Sequence, residues 1–234
     1  MGNRGVITTR QDLAEDGVGL YLHWNGGRDS VEAFLDYCRL RGFRGLPDDY
    51  GYARLAQVIG NFLGAEGLSV GLGPVKLLDQ DNYDNGVYLV RGWEVEGRLY
   101  LRGSEQQSYD HRHFLLTLDG CQPEGQRIGE RMIGDLLLHG ATLGEAAPSY
   151  HYIMDLRKEE GKAPEVFEPG RRYKEYLYDK GPGFEVLGKT EAHITAEIGG
   201  ETQTCPLFHW ADGGESAILA LPSGPRSVQP YPKP

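Results

Sequence analysis

At 234 residues the chain is long enough to bury a full core, as one large or two small domains. With 39% hydrophobic and 25% charged residues its composition is that of a globular protein, and no apolar run approaches the roughly 20 residues of a bilayer-spanning helix. The net charge of −10 is spread over both halves without long acid runs, which disfavours nucleic-acid backbone binding and lacks the dense clustering of a DNA mimic.

The polar opening, MGNRGVITTRQDLAEDG, has no apolar signal segment and fails the myristoylation pattern at Val6. Together with three dispersed cysteines, Cys38, Cys121 and Cys205, this leads us to expect free thiols in a reducing cytoplasm. Leu20, Leu22 and Trp24 alternate with Tyr21, His23 and Asn25, a strand signal. A helix is expected from Asp29 or Ser30, with Val31, Phe34, Leu35 and Cys38 on one face and Gly42 at its end.

Between this strand and helix lies HWNGGRDS, residues 23–30. Two glycines, Arg28 and a helix N-terminus are the ingredients of an anion cradle. The competing reading is a structural turn in which Asp29 caps the helix and Glu32 completes a capping box. A carboxylate there would repel an anion, so the turn is favoured. Trp24, Asn25 and Arg28 stand as candidate contact residues.

A second amphipathic helix is read from about Tyr52 to Leu63, burying Leu55, Ala56, Ile59, Phe62 and Leu63. GLSVG, residues 67–71, fits the nucleophile-elbow pattern with Ser69 as nucleophile. That elbow needs a strand before and a helix after, and here the order fails. LSVGLG, GVYLVRGWEVEG and RLYLRG read as strands, the last two as a hairpin. Before them LDQDNYDNG gathers Asp79, Asp81, Asn82, Asp84 and Asn85. The EF-hand spacing is absent, because Tyr83 and Val90 fall where ligands belong. An Asx-rich turn with Asn85-Gly86 in left-handed conformation is expected instead. Asp81, Asn82, Tyr83 and Asp84 are candidate partner contacts.

YDHRHFLLTLDG and RIGERMIGDLLLHG read as helices. From Arg171 onward, RRYKEYLYD, FEVLGK, TEAHITAEI, TQTCPLFHW and ESAILALP are five short β-type runs separated by Gly. GFEVLGKT, residues 183–190, matches the phosphate-loop pattern. Its bulky interior residues and the β-type alternation after Thr190 read as strand, not as the strand-to-helix turn that holds phosphate. His111 and His113 fall on different helix faces, and Cys205 with His209 is a lone pair, so no metal frame is expected.

The fold class expected is α+β: a mixed domain over 1–126, a helical or irregular connector over 127–164, a small β-rich, barrel-like domain over 165–222, and a Pro-rich disordered tail over 223–234. GNRGVITT, YLHWNGGRDSVEAFLDYC, YGYARLAQVIGNFLG and DNYDNGVYLV resemble a family of uncharacterised bacterial and phage-borne proteins over roughly the first 100 residues. Its members carry a small β-rich C-terminal part, and no catalytic residues carry over from it. The resemblance implies a mobile-element setting. The expectation is a non-enzymatic cytoplasmic protein, an inhibitor of a bacterial defence complex such as CRISPR. It would act on a host protein or complex without cofactor, metal, membrane or direct nucleic-acid contact. Fourteen Tyr and three Trp offer the aromatic area that interfaces use. The alternative is a small-ligand protein, a cyclic-nucleotide sponge or nucleotide-acting enzyme, using the glycine turn with Arg28. Oligomeric state stays open.

Overall fold

The structure, a computed structural model, describes residues 2–14, 16–64, 69–102, 109–147, 166–173, 183–221 and 224–228. The chain divides into two compact units, Met1–Arg127 and Ile128–Pro234. Helices and strands occur in both, so the α+β class holds.

The first unit is built on β1 (Gly5–Thr8), β2 (Val18–Leu22), α1 (Arg28–Leu40), α2 (Asp49–Leu63), β3 (Val70–Pro74), β4 (Val87–Arg91), β5 (Glu94–Leu99) and α3 (His111–Cys121). The five strands form one sheet in the order β3-β2-β1-β4-β5. Only β1 and β4 run parallel; every other pair is antiparallel. Alternation along the strands gives the sheet two apolar faces. Val6 and Val87 pack on one face with Leu13, from a turn, and Val75, from the short 3-10 helix Val75–Leu77. Ile7, Leu20, Leu22, Tyr88 and Val90 are buried on the other.

α1 runs from Arg28 with Gly27 at its N-cap, so Asp29 lies inside the first turn and does not cap it. Asp29 Oδ1 instead accepts the Ser30 N–H at 2.8 Å, and Glu32 pairs with Arg28 at 2.7 Å. The expected capping box is therefore not formed. α2 starts three residues earlier than its apolar stripe indicates, because Asp48 accepts the N–H groups of Tyr50 and Gly51. The hairpin turns at Gly92-Trp93 within GVYLVRGWEVEG, not between that stretch and RLYLRG. Gly92 has φ 60°, and its N–H and carbonyl both bond Leu46.

α1 and α3 are joined by two polar links. Tyr37 Oη donates to Asp119 Oδ1 at 2.7 Å in the interior, and burial pushes the Tyr37 phenol well above its ordinary range. His111 Nε2 lies 2.8 Å from Asp36 Oδ2. Phe34, Phe62 and Phe114 fill the space between the three helices as an aromatic cluster.

The second unit comprises α4 (Glu130–His139), α5 (Leu143–Ala146), β6 (Arg172–Tyr173), β7 (Phe184–Lys189), β8 (His193–Ile198), β9 (Glu201–His209), β10 (Glu215–Leu221) and β11 (Gly224–Val228). The strands form an antiparallel meander in the order β11-β10-β9-β8-β7-β6, curled into a half-barrel. Its core is Phe167, Tyr173, Phe184, Val186, Ile194, Ala196, Leu207 and Leu219 with their neighbours. α4 packs on β9 and α5 on β10 and β11. Residues 128–147 thus belong with the sheet and not with a connector, and residues 148–165 lie outside the described ones. The tail expected from Pro composition to be disordered contributes β11: Ala217, Leu219 and Leu221 of β10 pair with Val228, Arg226 and Gly224. Residues 229–234 lie outside the described ones.

One histidine in each unit ties stability to pH, and the two act in opposite directions. The bond to Asp36 raises the His111 pKa against partial burial. Its stabilising contribution is complete below the unfolded value of about 6.5 and is lost as pH rises through the raised folded value. His139 is half-buried against His193 and Phe208, and its buried Nε2 has no hydrogen-bond partner among the described residues. Burial, then the neighbouring His193, lowers its pKa. Stability from that site is complete above about 6.5 and falls as pH drops toward the depressed folded value. Urea unfolding followed by hydrogen exchange should show His111→Gln costing the first unit most near about pH 5.5 and least near about pH 8. His139→Phe should stabilise the second unit relative to wild type increasingly as pH falls from about 7.5 to 5.5.

Candidate functional site

Because β1 and β4 are parallel, the segments entering them lie side by side, and the antiparallel β2 and β5 deliver their exits to the same sheet end. Asn3 and Arg4 precede β1, Asp84 to Gly86 precede β4, Trp24 and Asn25 follow β2, and Tyr100 to Arg102 follow β5. Backbone bonds tie the segments together. Gly26 N–H donates to Asn3 O at 2.7 Å, Asn85 N–H to Arg4 O at 3.1 Å, and Arg102 N–H to Asp84 O at 3.1 Å. Gly26 must be Gly, since a Cβ there would run into the backbone of Arg4 and Gly5. Arg4 Nε donates to Asp84 Oδ2 at 2.7 Å, and the Tyr88 hydroxyl donates to Gly26 O at 2.7 Å.

The outcome is an open cleft of about 310 Å³. Asn3, Asn25 and Asn85, Asp29 and Asp84, Ser30 and Arg102, Tyr83, Leu101 and Tyr109 line it. Tyr83 is 75% exposed, and Trp24, Tyr100, Leu101 and Tyr109 are exposed at the same end of the sheet. Tyr109 is seated on the core by its ring contact with Phe114, 5.5 Å between centroids. Asn25, Tyr83 and Tyr100 have φ of 56°, 59° and 55°. These three non-glycine residues are in left-handed conformation, a strained state that surrounding contacts must enforce.

Of the residues singled out in sequence, Asn25, Tyr83 and Asp84 line the cleft together. Trp24 lies next to it, edge-on to His23 at 5.2 Å. Arg28 is turned to Glu32 and is not part of the lining. Asp81 holds Arg102 in a two-pronged pair, 2.6 and 3.0 Å, which keeps its carboxyl below the ordinary range and stacks Arg102 near the Tyr83 ring. Asn82 is wholly buried and makes the turn: its Oδ1 accepts the N–H groups of Asp84 and Gly86 at 3.1 and 3.0 Å, and its Nδ2 donates to Asp79 O. It is a scaffold residue, not a contact. Gly86 and Tyr83, rather than Asn85, carry the left-handed angles of this loop. Asn3, Asp29, Ser30, Leu101, Arg102 and Tyr109 were missed, because strand pairing across the whole unit brings them here.

The catalytic-looking motifs dissolve in the fold. FEVLGK of the phosphate-loop match is strand β7, and Thr190 starts a turn to His193, not a helix. The Lys189 amine donates to Phe167 O at 3.2 Å and pairs at 2.6 Å with Glu215, which is itself buried. Ser69 leads into β3, and its carbonyl accepts the His23 N–H; Gly67 and Leu68 of that motif lie outside the described residues. Among the described residues no group of three or more His, Cys, Asp or Glu is placed to hold a metal, and no helix is long and apolar enough to cross a membrane. Comparison with family models, with curated proteins and with solved structures finds no match.

Two substitutions test these assignments. Asn82→Ala strands two buried N–H groups and should cost about 1–3 kcal/mol in urea unfolding of the first unit. Lys189→Ala leaves the buried Glu215 carboxylate without its cation and should cost the second unit about 3 kcal/mol. ATP and GTP should shift the melting temperature of neither wild type nor the Lys189 variant.

Proposed function

We propose that the protein works by binding a protein partner, without chemistry of its own, through the cleft and aromatic rim at the end of the five-stranded sheet. The supporting observation is the company that the exposed aromatics keep. Trp24, Tyr83, Tyr100 and Tyr109 gather around a cluster of amides and carboxylates. Large, stiff, amphipathic rings with a hydrogen-bonding rim are the composition that carries interface energy. The strained Asn25, Tyr83 and Tyr100 sit beside anchored positions: Gly26 bonds Asn3, Arg102 bonds Asp84, and the Asn82 side chain braces the turn at Tyr83, so the surface is set before any partner arrives.

Charge argues against the cyclic-nucleotide alternative. Asp29, in the first turn of α1, and Asp84 both line the cleft, while its one cationic lining residue, Arg102, is engaged by Asp81. A phosphate would meet the Asp29 carboxylate at the helix end that otherwise attracts anions, while Asp84 and Arg102 are each already paired, with Arg4 and Asp81. The resemblance of the first 100 residues to phage-borne proteins supplies the setting for the partner. In this reading it is a component of a bacterial defence complex, which the protein inhibits by occupying its surface.

The test uses purified candidate effector complexes and the full-length chain. Tyr83→Ala with Tyr109→Ala should weaken binding at least about tenfold, as expected for central aromatic anchors, with unchanged circular dichroism and a melting temperature lowered only by the lost Tyr109–Phe114 contact. Binding that survives this double variant sinks the proposal. So does a cyclic nucleotide that stabilises the wild type.

A further inference from the structure

The remaining exposed apolar side chains of the first unit point to a second surface. Apart from Tyr50 and those at the cleft, they are Val18, Leu72 and Leu77. Val18 is the first residue of β2, Leu72 is central in β3, the edge strand of the sheet, and Leu77 ends the short 3-10 helix Val75–Leu77 that follows β3. The direction of each β3 backbone group follows from two hydrogen bonds. His23 N–H donates to Ser69 O and Val75 N–H donates to Gly17 O. In an antiparallel ladder, facing residues alternate between bonded and non-bonded pairs. With Leu20 opposite Leu72, residues 69, 71, 73 and 75 therefore turn their N–H and C=O groups toward β2. Val70, Leu72 and Pro74 turn theirs outward, and Pro74 is tolerated because its position asks no N–H of it.

This edge carries little of the usual protection. Natural sheets blunt their edges with charge, proline, short length or bulges, and of the first two β3 has only Pro74, at its last position. The opposite edge, β5, carries Glu94, Glu96 and Arg98 and faces a register break at Leu89/Val90. β6, an edge of the other sheet, is only two residues long. β3 reads Val-Gly-Leu-Gly-Pro, with no charge, and its central Leu72 is 55% exposed. An extended chain is the protein element that takes up a row of outward N–H and C=O groups in place of water.

We infer that the chain pairs with a second copy of itself, β3 to β3, antiparallel about a two-fold axis at Leu72. A two-fold interface requires a strand complementary to itself, and β3 is close to palindromic. The axis sets Leu72 against Leu72, Gly71 against Gly73 and Val70 against Pro74. Leu72 exchanges two hydrogen bonds with its counterpart. Each Val70 N–H reaches a Pro74 carbonyl of the other copy, and no like charges meet. The Leu72 side chains, which share a face with Val18, are covered by one another. The partner-binding proposal does not enter this argument.

Sedimentation velocity on the full-length protein should show a monomer–dimer equilibrium developing between about 10 and 500 µM, as expected for an interface below the standard size. Leu72→Lys places like charges across the axis and should weaken the dimer at least about tenfold. Leu72→Pro removes only the outward N–H, sparing the ladder to β2, and should do the same with unchanged circular dichroism. Leu72→Cys in a Cys121→Ser background should form a disulfide-linked dimer under mild oxidation, since bonded antiparallel pairs bring Cα atoms to about 5.5 Å. A chain that stays monomeric to about 500 µM and does not cross-link overturns the inference. So does a dimer indifferent to Leu72→Lys. Should Leu72→Pro fail to fold, the charge variant and the cross-link decide.

Discussion

The parallel pairing of β1 with β4 is the constraint on which the first unit depends. Parallel neighbours cannot be joined by a short turn, and here the chain places β2, both long helices and β3 between them. The pairing brings Asn3 and Arg4 against Asp84 and Asn85, residues about 80 positions apart, and holds them with backbone and side-chain bonds in the same few ångströms. Val6 N–H donating to Gly86 O continues that contact into the sheet. The cleft is thus a by-product of how the sheet closes. Its walls are the four segments that a mixed sheet must bring to one end. The turn made by Asn82 keeps the last of them in register.

A different constraint governs the second unit. Lys189 at the end of β7 meets Glu215 at the start of β10, although β8 and β9 separate the two strands in the sheet. Glu215 also accepts the Phe167 N–H and lies 3.6 Å from the His209 ring, whose Nδ1 is 2.9 Å from Asp135 on α4. One chain of polar contacts therefore links β7 to β10 and continues through His209 to the helix packed on the sheet. Buried charges are costly to desolvate and add little net stability over apolar packing. They do penalise other registers, because a slip of one residue would leave Glu215 without Lys189. The network is better understood as fixing which curl the sheet adopts.

What the sequence made legible follows from which interactions are local. Alternation from Leu20 to Trp24 and the 3.6-residue stripe from Val31 to Cys38 identified β2 and α1, since a strand or helix face is written in adjacent residues. The strand nature of GFEVLGKT was legible for the same reason, against a motif that pointed elsewhere. Helix starts were less so. Asp29 and Asp48 look alike as caps, and only Asp48 serves as one, because the close approach of Gly26 to Arg4 and Gly5 sets where α1 begins. β11 was hidden by Pro225 and the prolines of the flanking sequence: composition suggests disorder, whereas an edge strand needs only part of its N–H groups. The two polar loops could each be named. That they meet, and that Asn3, Arg102 and Tyr109 join them, depends on pairings no local pattern encodes.

The two surfaces of the first unit are related through β2. Its first residue, Val18, borders the β3 edge, while the residues just past its end, Trp24 and Asn25, enter the cleft region. The cleft lies at a strand end and the β3 edge runs along a strand side, so occupying one leaves the other open. An antiparallel pair about Leu72 reverses the strand direction between copies. The clefts then face outward at opposite ends of one continuous ten-stranded sheet, too far apart to share a single small epitope. Two such sites on one frame would suit a partner that is itself repeated or symmetric. For such a partner the second contact is intramolecular, and its effective concentration is set by the sheet rather than by a flexible linker. Weak individual sites then suffice, which suits a surface built of a few aromatic anchors over a polar, solvent-filled cleft.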